Sequence, residues 1–206
     1  MTAIARMALL DLRTVAPYRR QGLVLLGLVV LLFANKSAVA LVPALVLLVT
    51  SQIAAYPFLV ADKAGLETLY AVLPLPRRSV LYGHYAWATA SFLGTAAVGT
   101  ALAVVLARVE AVPFGEHTLV TVLAVSWALF AVNVAIQFPL FIRFGYSRIS
   151  VVGTTVPLAV VTLAVVRLHL TMTSIETWVP LLWPAGVAAL VISATVAMTA
   201  DHRRVR

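Results

Sequence analysis

Six apolar runs, near Gly22–Ala34, Ala38–Val60, Ala86–Ala107, Thr118–Ile142, Ser150–Val166 and Val179–Thr199, contain no charged side chain. The seven acids, Asp11, Asp62, Glu67, Glu110, Glu116, Glu176 and Asp201, all fall between or beyond them. Runs of this kind fit membrane-spanning helices, which need about 20 predominantly apolar residues each. The chain is 63% hydrophobic and 11% charged, whereas a soluble domain has a charged fraction of about 25% to cover its surface. With a mean hydropathy of +1.04, the expected fold is an all-α integral membrane protein, residues 1–206 forming a single membrane domain.

The formal net charge of +8 would point to nucleic acid in a soluble protein. Here the arginines flank apolar runs, where basic residues fix topology and meet anionic headgroups. The partner implied is therefore the lipid bilayer, with no nucleic acid. The absence of cysteine excludes disulfides, thiolate-zinc sites and thiol nucleophiles.

The first run is short, reaching about 20 Å at about 1.5 Å per residue against a hydrocarbon core of about 30 Å. It can be read as a signal peptide ending near Ala38-Val39-Ala40, as a re-entrant segment, or as a short span with Arg19, Arg20 and Lys36 snorkelling. Charge parity favours the span. With six spans, Arg6, Arg13, Arg19, Arg20, Lys63, Arg77, Arg78, Arg143, Arg148, Arg203, Arg204 and Arg206 share one side, and only Lys36, Arg108 and Arg167 lie opposite. The bias predicts both termini on the cytoplasmic side. Ahead of the first span, Met1 to Arg20 reads either as an interfacial helix broken near Pro17 or as a solvated terminus.

The longest polar connection lies between spans two and three, from Ala61 to Tyr85. Leu66, Leu69, Tyr70 and Leu73 have the spacing of one helical face, and Lys63 and Glu67 lie four apart on another. The reading is a short cytoplasmic amphipathic helix from Asp62, which can cap its start, to Leu73. Pro74 and Pro76 forbid its continuation, and Ser79 can cap the helix that follows. Tyr56-Pro57-Phe58, just before it, suits a kink and an aromatic interfacial anchor.

The order of these features, a span ending in Tyr-Pro-Phe, a charged pair, an amphipathic helix, then Leu75-Pro76-Arg77-Arg78-Ser79-Val80 and an aromatic-rich return into the membrane, resembles the permease family of type-2 ATP-binding-cassette (ABC) exporters. Gln137-Phe138-Pro139-Leu140-Phe141-Ile142-Arg143-Phe144-Gly145-Tyr146-Ser147-Arg148 is similar to a second loop of that family. The chain departs from the usual family pattern at Lys63, where an acid is common, and at His84, where a lysine is. The resemblance implies a membrane-spanning permease subunit that moves an amphiphilic substrate across the cytoplasmic (inner) membrane. It also implies a separate cytoplasmic ABC ATPase dimer and a second permease subunit, alike or similar. Carried over, Asp62, Lys63, Leu66, Glu67, Leu69, Tyr70 and Leu73 would form the ATPase-docking helix. Arg77 and Arg78 would anchor the following helix. ATP and magnesium would be bound by the partner ATPase, and this chain would hold no cofactor.

The residues themselves agree with a motor-less permease. No G-x-x-x-x-G-K-[ST] loop exists, since Lys36 follows Asn35 and Lys63 follows Asp62. The acids lie outside the runs, so charge-carrying groups for ion-coupled transport are missing at depth. The histidines, His84, His117, His169 and His202, read as interfacial or solvated, without zinc-ligand spacing, and no metal site is expected. In the third span Trp87, Ser91, Thr95, Gly99 and Ala103 form a stripe that suits close helix packing. In the fourth, Ser126, Asn133 and Gln137 share one face, lining a substrate route or bonding to neighbouring helices. A reading of a different class is a non-transport membrane scaffold, or an assembly or regulatory protein, that binds a cytoplasmic partner through the same amphipathic helix.

Overall fold

The computed structural model describes residues 9, 11–13, 15–33, 38–65, 77–111, 114–167 and 172–204. Among these residues every regular element is helical. A 3-10 turn at Ala16–Tyr18 leads into α1, Arg19–Phe33. The second apolar run forms α2, Ala38–Leu45, then a π-helical turn, Val46–Thr50, and α3, Ser51–Lys63, without interruption. After these come α4, Arg77–Val109, α5, Glu116–Phe144, α6, Tyr146–Arg167, and α7, Met172–Arg204.

Among the described residues, four helical stretches are long and apolar enough to cross a bilayer: Val39–Lys63, Arg78–Val109, Glu116–Phe144 and Glu176–Thr199. They coincide with the second, third, fourth and sixth apolar runs. α1 has 15 residues and α6 has 22, with a non-helical break at Ile149 (φ −129°, ψ 15°). The first run reaches spanning length only when Asp11–Tyr18 and Arg20–Leu32, which meet at a 66° bend, are taken as one span.

Pro43 lies inside α2 and the π-turn follows it directly. A proline lacks the N–H that its helical turn requires, and a wider turn downstream is one way the ladder recovers. α4 begins at Arg77, immediately after Pro76, so Ser79 lies within its first turn and does not cap it. At about 1.5 Å per residue α4 is about 50 Å long and extends well beyond the apolar stretch that begins at Ala86.

α5 is the centre of the bundle and touches α2, the π-turn, α3, α4, α6 and α7. One apolar cluster joins Phe58, Phe92, Trp127, Phe130, Val134, Phe138 and Phe141. Another joins Val29, Leu41, Val42, Leu45, Val49, Ala103 and Val122. The expected small-residue stripe of α4 is used inside the chain. A Cβ on Gly99 would stand 3.3 Å from Leu45 Cδ1 and 3.6 Å from Val42 Cα, so the absence of a side chain brings α4 against α2. α7 makes equally close contact with α5 through Gly186, where a Cβ would run into the Trp127 indole. Leu93, Val98 and Val105 on α4 and Leu181, Val187, Val191 and Ile192 on α7 point outward, as lipid-facing surface should.

Two expectations are corrected by these positions. Tyr56 and Phe58 are buried at 9% and 8% exposure, packed among aromatic rings where an interfacial anchor was expected. Asp62 and Lys63 form the last turn of α3, which ends at Ala64 and at Gly65 with φ +62°. They therefore complete the second span. Leu66, Glu67, Leu69, Tyr70 and Leu73 lie outside the described residues.

Candidate functional site

The end of the bundle that carries Lys63, Arg78, Arg143 and Arg148 brings together the two stretches singled out in the sequence. α5 stops at Phe144 because Gly145 takes φ +81° and returns its N–H to the Phe141 carbonyl at 2.9 Å, an arrangement that favours glycine. α6 then starts at once, and its first N–H groups have no carbonyl a turn earlier to bond. The Asp62 carboxylate, from the end of α3, accepts the Ser147 N–H through Oδ2 at 2.5 Å. A Cβ at Gly145 would lie 3.9 Å from Asp62 Oδ1, so the carboxylate sits directly over the turn. Its negative charge also suits the positive end of the helix dipole. Asp62 is thus a cap for α6, a role that the sequence reading did not assign to it.

Phe58 joins the rest of this end. Its ring centroid lies 4.9 Å from His84, 4.8 Å from Phe138 and 5.7 Å from Phe141, and Phe141 meets Tyr146 at 5.1 Å.

Sequence reading missed the polar centre of this region. Asp11 and His84 are both buried, with His84 Nδ1 2.8 Å from Asp11 Oδ2. The expectation that His84 is interfacial or solvated is corrected here, and Asp11, although it lies ahead of the first apolar run, is buried against His84. The cause is the 66° bend at Tyr18, which folds the preceding turn against α3 and α4. Val15 packs with Tyr56 and Trp87, and Tyr18 stacks on Tyr56 at 5.3 Å. Asp11, Val15 and Tyr18 have helical spacing, and that signal could have revealed an inward face.

The second candidate is the polar face of α5. Ser126, Asn133 and Gln137 are all buried. Ser126 donates to the Val122 carbonyl at 2.7 Å in its own helix. Asn133 Nδ2 donates to Ser51 Oγ across the contact with α3, and Ser51 donates to the Leu47 carbonyl of the π-turn. Gln137 has no hydrogen-bond partner among the described residues. On the opposite side of α5, Ser193 of α7 donates to the Ala135 carbonyl at 3.1 Å and lies 2.6 Å from the Tyr85 hydroxyl.

The remaining site expectations divide simply. Arg78 is exposed at the start of α4, and the Arg77 side chain is outside the described ones. His117 and Glu176 meet at 3.7 Å on the exposed opposite end. Among the described residues no group of three or more His, Cys, Asp or Glu could hold a metal.

No curated protein and no solved structure matches the chain. A family model does, described as ABC-2 family transporter protein and matched by residues 9–200. Nearly the whole chain is covered, from the turn that carries Asp11 through the last apolar helix, and the chain belongs to the ABC-2 family of transporter permeases.

Proposed function

We propose that this chain is the membrane-spanning permease subunit of an ATP-driven exporter in the cytoplasmic (inner) membrane. It spans six times, with α1 and α6 completing the set, and both termini face the cytoplasm. The basic end is the cytoplasmic end, as the excess of lysine and arginine there demands. Two such subunits, alike or paired with a similar one, enclose the path of an amphiphilic substrate. A cytoplasmic ABC ATPase dimer binds ATP and magnesium and supplies the energy. The permease is a transport component and catalyses no hydrolysis of its own.

The observation that carries this reading is the contact between Asp62 and Ser147. The segment with docking-helix periodicity, Leu66, Leu69, Tyr70 and Leu73, begins in the sequence four residues after the carboxylate that caps α6. A push on that segment therefore reaches α3 and α6 at one point. Ser126, Asn133 and Gln137 stand on the face of α5 that a path between moving helices would use.

The test is co-purification with a cytoplasmic ABC ATPase produced together with this chain from its native genome. Making Leu69 and Tyr70 aspartate should abolish the complex while the permease still reaches the membrane. A complex that survives both changes would remove the docking assignment. Reconstitution with that ATPase, scoring which amphiphile raises ATP turnover, then identifies the substrate and its direction.

A further inference from the structure

The contact between α5 and the second span has a defined register. Asn133 bonds Ser51 and Phe138 and Phe141 meet Phe58, so the two helices run parallel. Gln137, one turn beyond Asn133 on the same face, then lies level with Ala54 and Ala55, which are fully buried and carry only methyl groups. Gln137 itself is 0% exposed, and neither its Nε2 nor its Oε1 has a partner among the described residues. Thr50, the last residue of the π-turn and the neighbour of Ser51, shows the same condition: 0% exposed, with an unpartnered Oγ1.

A primary amide must be satisfied at both ends, since it donates through nitrogen and accepts through oxygen. Left dry among apolar side chains inside a membrane, it would be costly to fold around. We infer that the Gln137 amide lies in a buried hydration site between the second span and α5, occupied by water. Water both donates and accepts, so it serves Oε1 and Nε2 together. A bare monovalent cation would satisfy Oε1 and leave Nε2 without an acceptor. The site shares the α5 face of the proposed path, but it needs neither the ATPase nor a transported substrate, so water exchange at Gln137 tests it separately from transport.

The chain's glutamines are Gln21, Gln52 and Gln137, which makes a direct measurement feasible. The full chain is reconstituted in phosphatidylcholine–phosphatidylglycerol vesicles with 15N in the glutamine side chains. Magnetisation is then transferred from water protons to the amide groups. Gln137→Leu assigns its signal; should that variant fail to fold, Gln21→Leu and Gln52→Leu assign it by elimination. The Gln137 amide should receive magnetisation from water and exchange in deuterated buffer despite its burial. A Gln137 signal that stays dry and protonated while Gln21 exchanges overturns the site. A second arm uses the natural absence of cysteine. Silver ion should modify Gln137→Cys on the order of tenfold faster than Phe130→Cys, a position inside the dry aromatic cluster, because only a hydrated site admits a small aqueous ion. Equal, negligible rates at both positions would also overturn it.

Discussion

Asp62 at the end of α3 and Ser147 at the start of α6 are joined by a carboxylate-to-amide hydrogen bond of 2.5 Å, which links the two basic-end connections of the chain. Removing a helix cap costs about 0.5–2 kcal/mol, and the exposure of Asp62 puts the expected loss for Asp62→Ala at the lower end. Asp62→Asn keeps an oxygen that can accept the Ser147 N–H and should behave nearly as the parent. Amide hydrogen exchange at Ser147 reads the difference. Faster exchange in the alanine variant and parental exchange in the asparagine variant are expected, and equal exchange in both would dismiss the cap.

Asp11 and His84 should show coupling, because they meet at 2.8 Å, both buried, and each loses this contact when the other is removed. An unsatisfied buried polar group costs about 1–3 kcal/mol. Asp11→Ala and His84→Ala should each destabilise by about that amount, and the double variant by clearly less than their sum. Thermal unfolding of the four proteins in detergent gives the cycle. The single Asp11→Ala change should also speed trypsin cleavage after the exposed Arg13, since Asp11, Val15 and Tyr18 together hold the turn before α1 in place.

Gly153 and Gly186 are places where helices touch without room for a side chain. A Cβ at Gly153 would enter the Phe141 ring, and one at Gly186 would enter the Trp127 indole. Overpacking of this kind costs about 1–3 kcal/mol. Gly186→Ala should shift Trp127 fluorescence and lower the melting temperature, and Gly153→Ala should lower it with no such spectral change. Phe141→Leu should restore part of the loss in Gly153→Ala and none in Gly186→Ala. An unaltered melting temperature in both single variants would show that the bundle yields at these contacts.

The four long apolar runs predicted their helices because periodicity hardly matters when a helix is apolar all round; length and absence of charge suffice. The inward placement of Ser126, Asn133 and Gln137 was legible for a related reason, since amides avoid lipid. What each amide bonds was not, because Ser51 lies far from Asn133 in sequence and only the packing register unites them. The contact of Asp62 with Ser147 escaped for the same cause, since the helix that it caps comes 85 positions later. The Asp11–His84 pair escaped because the mixed segment ahead of the first span read as an interfacial helix or a solvated terminus. The bend at Tyr18 that buries it is a tertiary event.

The orientation of the bundle is open to measurement with single cysteines in this naturally cysteine-free chain. Lys63 and Arg148 are exposed at one end, beside the Asp62–Ser147 contact, and Glu116 is exposed at the other. Lys63→Cys and Arg148→Cys should react with a membrane-impermeant maleimide in inside-out vesicles and stay unlabelled in intact cells. Glu116→Cys should behave in the opposite way. The expectation rests on electrostatics: anionic lipid in the cytoplasmic leaflet is worth about 1 kcal/mol for each nearby Lys or Arg, and the basic residues concentrate at the Asp62 end. Labelling of Lys63→Cys from outside intact cells would put the docking segment beyond reach of any cytoplasmic ATPase and would end the permease–motor proposal.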